Sequence, residues 1–205
     1  MIDTSIEYKV HDLITNRFSP REFSAKIITD KKLLAILEAG RIAPSSFNEQ
    51  PWRFIVANRT DETSFERLLS CLSPKNAEWA KNAGALVLSV AKKKFDHDNS
   101  LNRHAFHDVG LAVASMVFQA MSLDIYSHQM GGFSSEKART TFNIPDDYEP
   151  VAVVAFGYLD KEFFTDERLK QQSSSPKNRK PMNEISFANT WGNEISLEHS
   201  IKRKD

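Results

Sequence analysis

Apolar and polar positions follow two periods along this chain, and the periods divide it into helices and strands. Ile6, Val10, Leu13 and Ile14 fall near helical spacing within residues 5–16, with charges between them, which predicts a first helix. Pro20, within Arg17-Phe18-Ser19-Pro20-Arg21, forbids its continuation. Asp30 is placed to cap a second helix through Leu33, Leu34, Ile36, Leu37 and Ile42. Residues 52–57 read as a strand. Residues 61–72 read as a third helix burying Phe65, Leu68, Leu69 and Leu72. The run 85–91 is almost unbroken in its apolarity, the pattern of a strand covered on both faces. Residues 102–122 form the longest predicted helix, and it is apolar around much of its circumference. Such a helix lies at the centre of a domain or is shared with a second subunit. A short strand at 124–128, a helix capped by Ser134 and running through Phe142, and a last core strand at 151–157 complete the pattern.

Beyond residue 160 the pattern fades. Residues 171–175 are polar, and residues 176–181 hold a basic cluster between two prolines. Ile185, Phe187 and Trp191 are the main apolar positions of the final stretch. A tail that cannot build its own core packs on something else, and a partner subunit offers such a surface.

Length and charge narrow the classes. A chain of 205 residues fits one domain with a sizeable core. Lys and Arg (27) balance Asp and Glu (27), which removes any global argument for nucleic acid or an anionic membrane. No apolar run approaches the ~20 residues needed to cross a bilayer, and the first residues lack an apolar export segment. Cys71 is the sole cysteine, so no intramolecular disulfide or cysteine metal cluster is possible, and a reducing cytoplasm is expected. It reads as a packing residue, since no basic neighbour in sequence would lower its pKa.

Four stretches carry candidate chemistry. Arg17, Ser19 and Arg21 sit at i, i+2 and i+4, on one face of an extended segment. Guanidinium forks beside a hydroxyl suit a phosphate or carboxylate, although a solvated basic turn has the same composition. In Pro44-Ser45-Ser46-Phe47-Asn48-Glu49-Gln50-Pro51-Trp52, two prolines fix a short polar loop between packed elements. It either presents hydrogen-bonding groups to a ligand or is a plain helix–strand connection with a serine as turn former. Gly131-Gly132 follows a strand and lets backbone N–H groups approach a ligand, but the spacing is neither GxGxxG nor a P-loop. His97 between Asp96 and Asp98 offers adjacent loop side chains with no dependable ligand geometry, so no metal is expected. His104 and His107 read as capping or packing residues, with Asp108 able to polarise either.

Taken in order, Arg17 to Arg21, Pro44 to Trp52, Asn76 with Trp79, Met130-Gly131-Gly132-Phe133, and Lys177-Asn178-Arg179-Lys180-Pro181 resemble the nitroreductase family of FMN-dependent oxidoreductases. The resemblance spans roughly residues 12–192. It implies one domain over residues 1–205 with an α+β fold, in which helices flank a mixed central sheet. It also implies an intertwined homodimer, with the long helix at the interface. The segment from about 160 would pack on the partner and add an edge strand to it. Two FMN sites would lie between the subunits.

By resemblance, Arg17 and Ser19 bind the FMN phosphate and ribityl chain, joined by Lys177 and Arg179 at the phosphate. Arg21 lies near the N1/O2 edge of the pyrimidine. Pro44, Ser45, Ser46 and Asn48 reach the flavin from the other subunit, and Asn76 is a polar group near the ring. Gly131 turns its N–H toward N5, flanked by Met130 and Gly132. Where some relatives carry a lysine, this chain has Trp79, which leaves Arg21 as the cation for N1/O2. The implied activity is ping-pong transfer of hydride from NADH or NADPH through N5 to a nitroaromatic, quinone or similar electron-poor small molecule. Flavin carries the chemistry, so no protein nucleophile or obligatory side-chain base is expected. Other reductions on the same scaffold (dehalogenation, enone reduction), flavin destruction and flavin binding without catalysis are the rival readings. Nucleic acid is not expected, because one phosphate accounts for both basic clusters.

Overall fold

The computed structural model describes residues 9–160, 162, 165 and 179–195. Its centre is a sheet of four strands: β1 (Trp52–Asn58), β2 (Ala85–Lys92), β3 (Tyr126–Met130) and β4 (Tyr148–Gly157), in the order β1-β2-β4-β3. Every pair is antiparallel. The α+β architecture therefore holds, but the mixed sheet expected by resemblance has no parallel pair among the described strands.

Alternation along the inner strands explains the layers. Ala85, Val87 and Ala91 of β2, with Val154 and Phe156 of β4, face helices α2 (Asp30–Arg41) and α5 (Ala105–Met121). Leu86, Leu88 and Val90, with Val153 and Ala155, face α3 (Glu62–Leu69), α4 (Pro74–Ala80) and α6 (Ser135–Phe142). The continuous apolar run in β2 is thus a strand covered on both faces, as its sequence predicts. Full burial of a side chain such as Leu86 or Leu88 stabilises by roughly 1.5–3 kcal/mol. Gly40 lets α2 approach α5 closely, since a Cβ there would stand 2.8 Å from Met116 Cγ.

Boundaries move where local side-chain chemistry intervenes. The first helix, α1, spans only Asp12–Thr15, capped by the His11 imidazole accepting from Leu13 N–H. The second helix begins at Asp30 itself, with Thr29 at the N-cap position, so Asp30 is not the cap. The third ends at Leu69, and Leu72 instead bridges to Phe133. α5 starts at Ala105 because Asn102 forms a turn: its Oδ1 accepts the His104 N–H at 3.0 Å. β3 begins late because Asp124 takes a left-handed turn (φ 59°) after α5, and it runs on to Met130. β4 starts at Tyr148, pairing with Lys92. α4 has a start signal in Ser73-Pro74, proline at the first helical position, which the apolar pattern alone passes over.

The described part of the tail forms a short helix, α7 (Met182–Ile185), and a bridge between Phe187 and Glu194. Met182, Ile185 and Trp191 are exposed, Trp191 at 92%. The Phe187 and Trp191 rings meet at 4.9 Å. Cys71 is buried. Among the described residues no helix is long and apolar enough to cross a membrane.

Candidate functional site

The expected site residues fall into two groups, one at each edge of the sheet. The first group gathers at the β3 edge. The Arg17–Pro20 segment is held against β3 by His128, whose Nδ1 lies 3.1 Å from the Ser19 carbonyl and 2.9 Å from that of Pro20. Both contacts are to acceptors, so Nδ1 carries a proton and donates. The His128 ring packs on Trp79 at 4.6 Å, and Trp79 in turn lies 6.3 Å from Phe23. Phe18 packs on Tyr126 at 5.2 Å. Burial, and then the charge of Asp124, raise the Tyr126 phenol above its ordinary pKa.

On this platform Arg17 is half-buried and donates a long bond (3.4 Å) to Ser19 Oγ. Arg179 comes near it from the far end of the chain. Burial first, then the Arg179 charge, push the Arg17 guanidinium below its usual value. Two cations brought together, one of them partly desolvated, form a place where an anion is stabilising. Arg21 is exposed two residues past Ser19. Lys177 lies outside the described residues.

The end of β3 completes this group. Met130 is buried in the core at 2% exposure, so its side chain packs instead of lining an open site. Gly132 is pressed against the start of α4: a Cβ there would stand 2.7 Å from Asn76 Nδ2 and 3.2 Å from Ser73 Oγ. Its carbonyl accepts from Asn76 Nδ2 and from Ser73 N–H, each at 3.0 Å. Gly131 is exposed, with nothing within 4 Å of where a Cβ would be. The two glycines therefore differ. One fits a neighbouring helix, and the other leaves open space over its backbone.

The second group is the loop before β1. Phe47, Asn48 and Gln50 all have positive φ (54°, 55° and 51°). For a bulky residue such as Phe47 this costs about 1–2 kcal/mol. Ser45 Oγ accepts the Gln50 N–H at 2.9 Å, and Arg53 Nη1 donates to the Gln50 carbonyl at 3.0 Å. Glu49 Oε1 accepts the Asp96 N–H at 2.8 Å, and Lys92 pairs with both Asp96 and Glu49. Ser46 N–H donates to Asp108 Oδ2 at 3.0 Å. Phe47 is 84% exposed, edge-on to Phe95 and beside His97. Pro44 and Asn48 are exposed, and Ser45 and Ser46 half-buried.

The register relates the two groups. Trp52 lies level with Ala91 and Glu149, whereas Met130 lies level with Val153, Leu88 and Ile55, and β1 and β3 are the opposite edges. Three strand spacings, about 14 Å, lie between them. One chain does not bring the groups together.

Two contacts escape a reading of the sequence. His128 and Asp108 act on segments far away in the chain, and no local pattern links them. A signal for Asp108 does exist, because an aspartate in the first turn of so apolar a helix needs a partner if buried. The histidines near it divide: His107 Nδ1 lies 3.1 Å from Asp108 Oδ1, and His104 accepts from Arg103 Nε. Among the described residues no group of three or more His, Cys, Asp or Glu side chains could hold a metal ion.

The sequence matches the Nitroreductase family model over residues 14–158. An uncharacterized 15.4 kDa protein of Mycolicibacterium smegmatis is 33% identical over 150 residues, covering 70% of this chain and 99% of that one. A protein of Archaeoglobus fulgidus, provisionally named an NADH dehydrogenase/NAD(P)H nitroreductase, is 28% identical over 162 residues, 74% of this chain and 87% of its own. A crystal structure of an oxidoreductase containing FMN superposes with a TM-score of 0.84 at 29% identity, over 95% of this chain and 98% of that one. A family model that spans most of the chain, joined to a fold shared along nearly its whole length, places this protein in the nitroreductase family.

Proposed function

We propose that this protein is an FMN-dependent oxidoreductase, a single-domain chain acting as a homodimer, which takes hydride from NADH or NADPH. It passes hydride to a nitroaromatic, a quinone or another electron-poor small molecule. The observation that carries the reading is the meeting of Arg17, Ser19 and Arg179, with Ser19 held by His128 of the strand that leads into the open backbone of Gly131. Two guanidiniums and a hydroxyl suit a phosphate near −2 charge, and an unobstructed glycine after a strand suits a flat ring. The similarity to an FMN-containing oxidoreductase and to a protein provisionally named for NAD(P)H supports the same cofactors here.

When bound, FMN supplies hydride acceptance and return at N5. The chain supplies the rest. Arg17, Ser19, Lys177 and Arg179 hold the phosphate. Arg21 stabilises negative charge at the pyrimidine edge. Gly131, with Met130 and Gly132 beside it, offers its N–H to the ring centre, while Asn76 holds Gly132 in place. Pro44, Ser45, Ser46 and Asn48 of the second subunit close the site, which explains why one chain keeps its two groups apart. The groove of about 470 Å³ between α2 and β1, along a sheet edge, has room for the partner's tail. Donor and acceptor use one place in turn, so no side-chain base is needed.

Titration with FMN and with riboflavin tests the phosphate grip. FMN binds at least about 100-fold more tightly if the cationic group is its phosphate site. Equal affinity for the two flavins contradicts the assignment.

A further inference from the structure

We infer that Asp108 is a positioning residue for the 44–50 loop, its buried carboxylate fixing Ser46 where the loop meets the flavin. The inference rests on the reading of that loop as part of an FMN site. Asp108 is 2% exposed, and a carboxylate is buried at such cost only with partners. Its Oδ2 accepts the Ser46 N–H across 62 residues of sequence, and its Oδ1 faces His107.

Ser46 opens the single turn in which Phe47 and Asn48 take left-handed conformations. Strained backbone of this kind persists only where its surroundings over-determine it. The Ser45–Gln50 bond closes the loop on itself but ties it to nothing else. Glu49, its side chain 6% exposed, ties the far side to Asp96 and Lys92 in the neighbouring loop and strand end. Asp108 ties Ser46 itself, and it stands on α5, a helix of 17 residues packed across the sheet. The carboxylate thereby transmits the rigidity of α5 to Ser46, and through the turn to Asn48.

The test compares flavin-free wild type, Asp108→Ala and Asp108→Asn by amide-resolved hydrogen exchange, and then measures FMN affinity by fluorescence quenching. In Asp108→Ala the amides of residues 46–48 exchange at least about tenfold faster, and FMN binds about tenfold more weakly or worse. Asp108→Asn keeps the shape and one acceptor, so its exchange lies between the two and most FMN affinity returns. A folded Asp108→Ala protein with wild-type exchange at those amides, or with unchanged FMN affinity, overturns the inference. Should Asp108→Ala fail to fold, Asp108→Asn against wild type decides: identical exchange overturns it, and faster exchange supports it. A wild type that binds no FMN sinks the proposed function instead, and the exchange comparison still decides whether Asp108 anchors the loop.

Discussion

Arg17 concentrates the argument at the scale of single residues. Its charge is disfavoured twice, by burial and by Arg179, and an arriving phosphate relieves both. A guanidinium also matches a phosphate through a planar fork, which an ammonium does not. Arg17→Ala therefore weakens FMN binding by about 10- to 150-fold, the worth of a hydrogen bond to a charged group. Arg17→Lys recovers only part of the loss, while riboflavin affinity changes little in either variant. Calorimetric titration of both flavins checks the pair, and an equal loss for FMN and riboflavin would place Arg17 elsewhere than at the phosphate. Arg17, Ser19 and Arg21 are legible in sequence because an extended segment sets alternate side chains on one face. The approach of Arg179 is not legible, since it depends on how the chain returns after β4. Asp108 is hidden for the same reason: its acceptor role is defined by a loop 62 residues earlier.

Among the elements, the junction of β3 with α4 shows what sequence can and cannot give. The glycine pair announces a close approach, but only the structure separates the two positions. A Cβ at residue 132 would collide with Asn76, whereas one at residue 131 meets nothing. Gly132→Ala thus destabilises the protein by about 1–3 kcal/mol through overpacking. Gly131→Ala changes stability by no more than about 0.5 kcal/mol, yet it obstructs the ligand's approach and weakens FMN binding about tenfold. Thermal melts of the flavin-free variants, followed by FMN titration, separate the effects. A destabilised Gly131→Ala with normal FMN affinity would contradict this division.

Strands β1, β2 and β4 and helices α2, α3, α5 and α6 are legible from period and length. Their ends are not, because Asn102 and Asp124 move them through side-chain and left-handed turns. α4 escapes because its seven residues bury only Ala80 fully, too little for an apolar period to show.

In the molecule as a whole, the sheet order sets the two groups of site residues on opposite edges. A second copy related by a two-fold axis can bring the 44–50 loop of one chain to the Gly131 side of the other. The apolar Met182, Ile185 and Trp191, exposed in the single chain, then gain a surface to cover. The expected solution mass is twice the 23.3 kDa of one chain. A monomeric mass by light scattering, with FMN fully bound, would require each chain to build the site alone.

The central claim is that the chain holds FMN for reduction by a nicotinamide. Absorbance of the purified protein, loaded with FMN and treated anaerobically with NADH or NADPH, tests it most directly. The account predicts a flavin band near about 450 nm that bleaches on addition of one donor and returns when a quinone or nitroaromatic is added. A bound flavin that stays oxidised with both donors, or a protein that takes up no flavin, would contradict it.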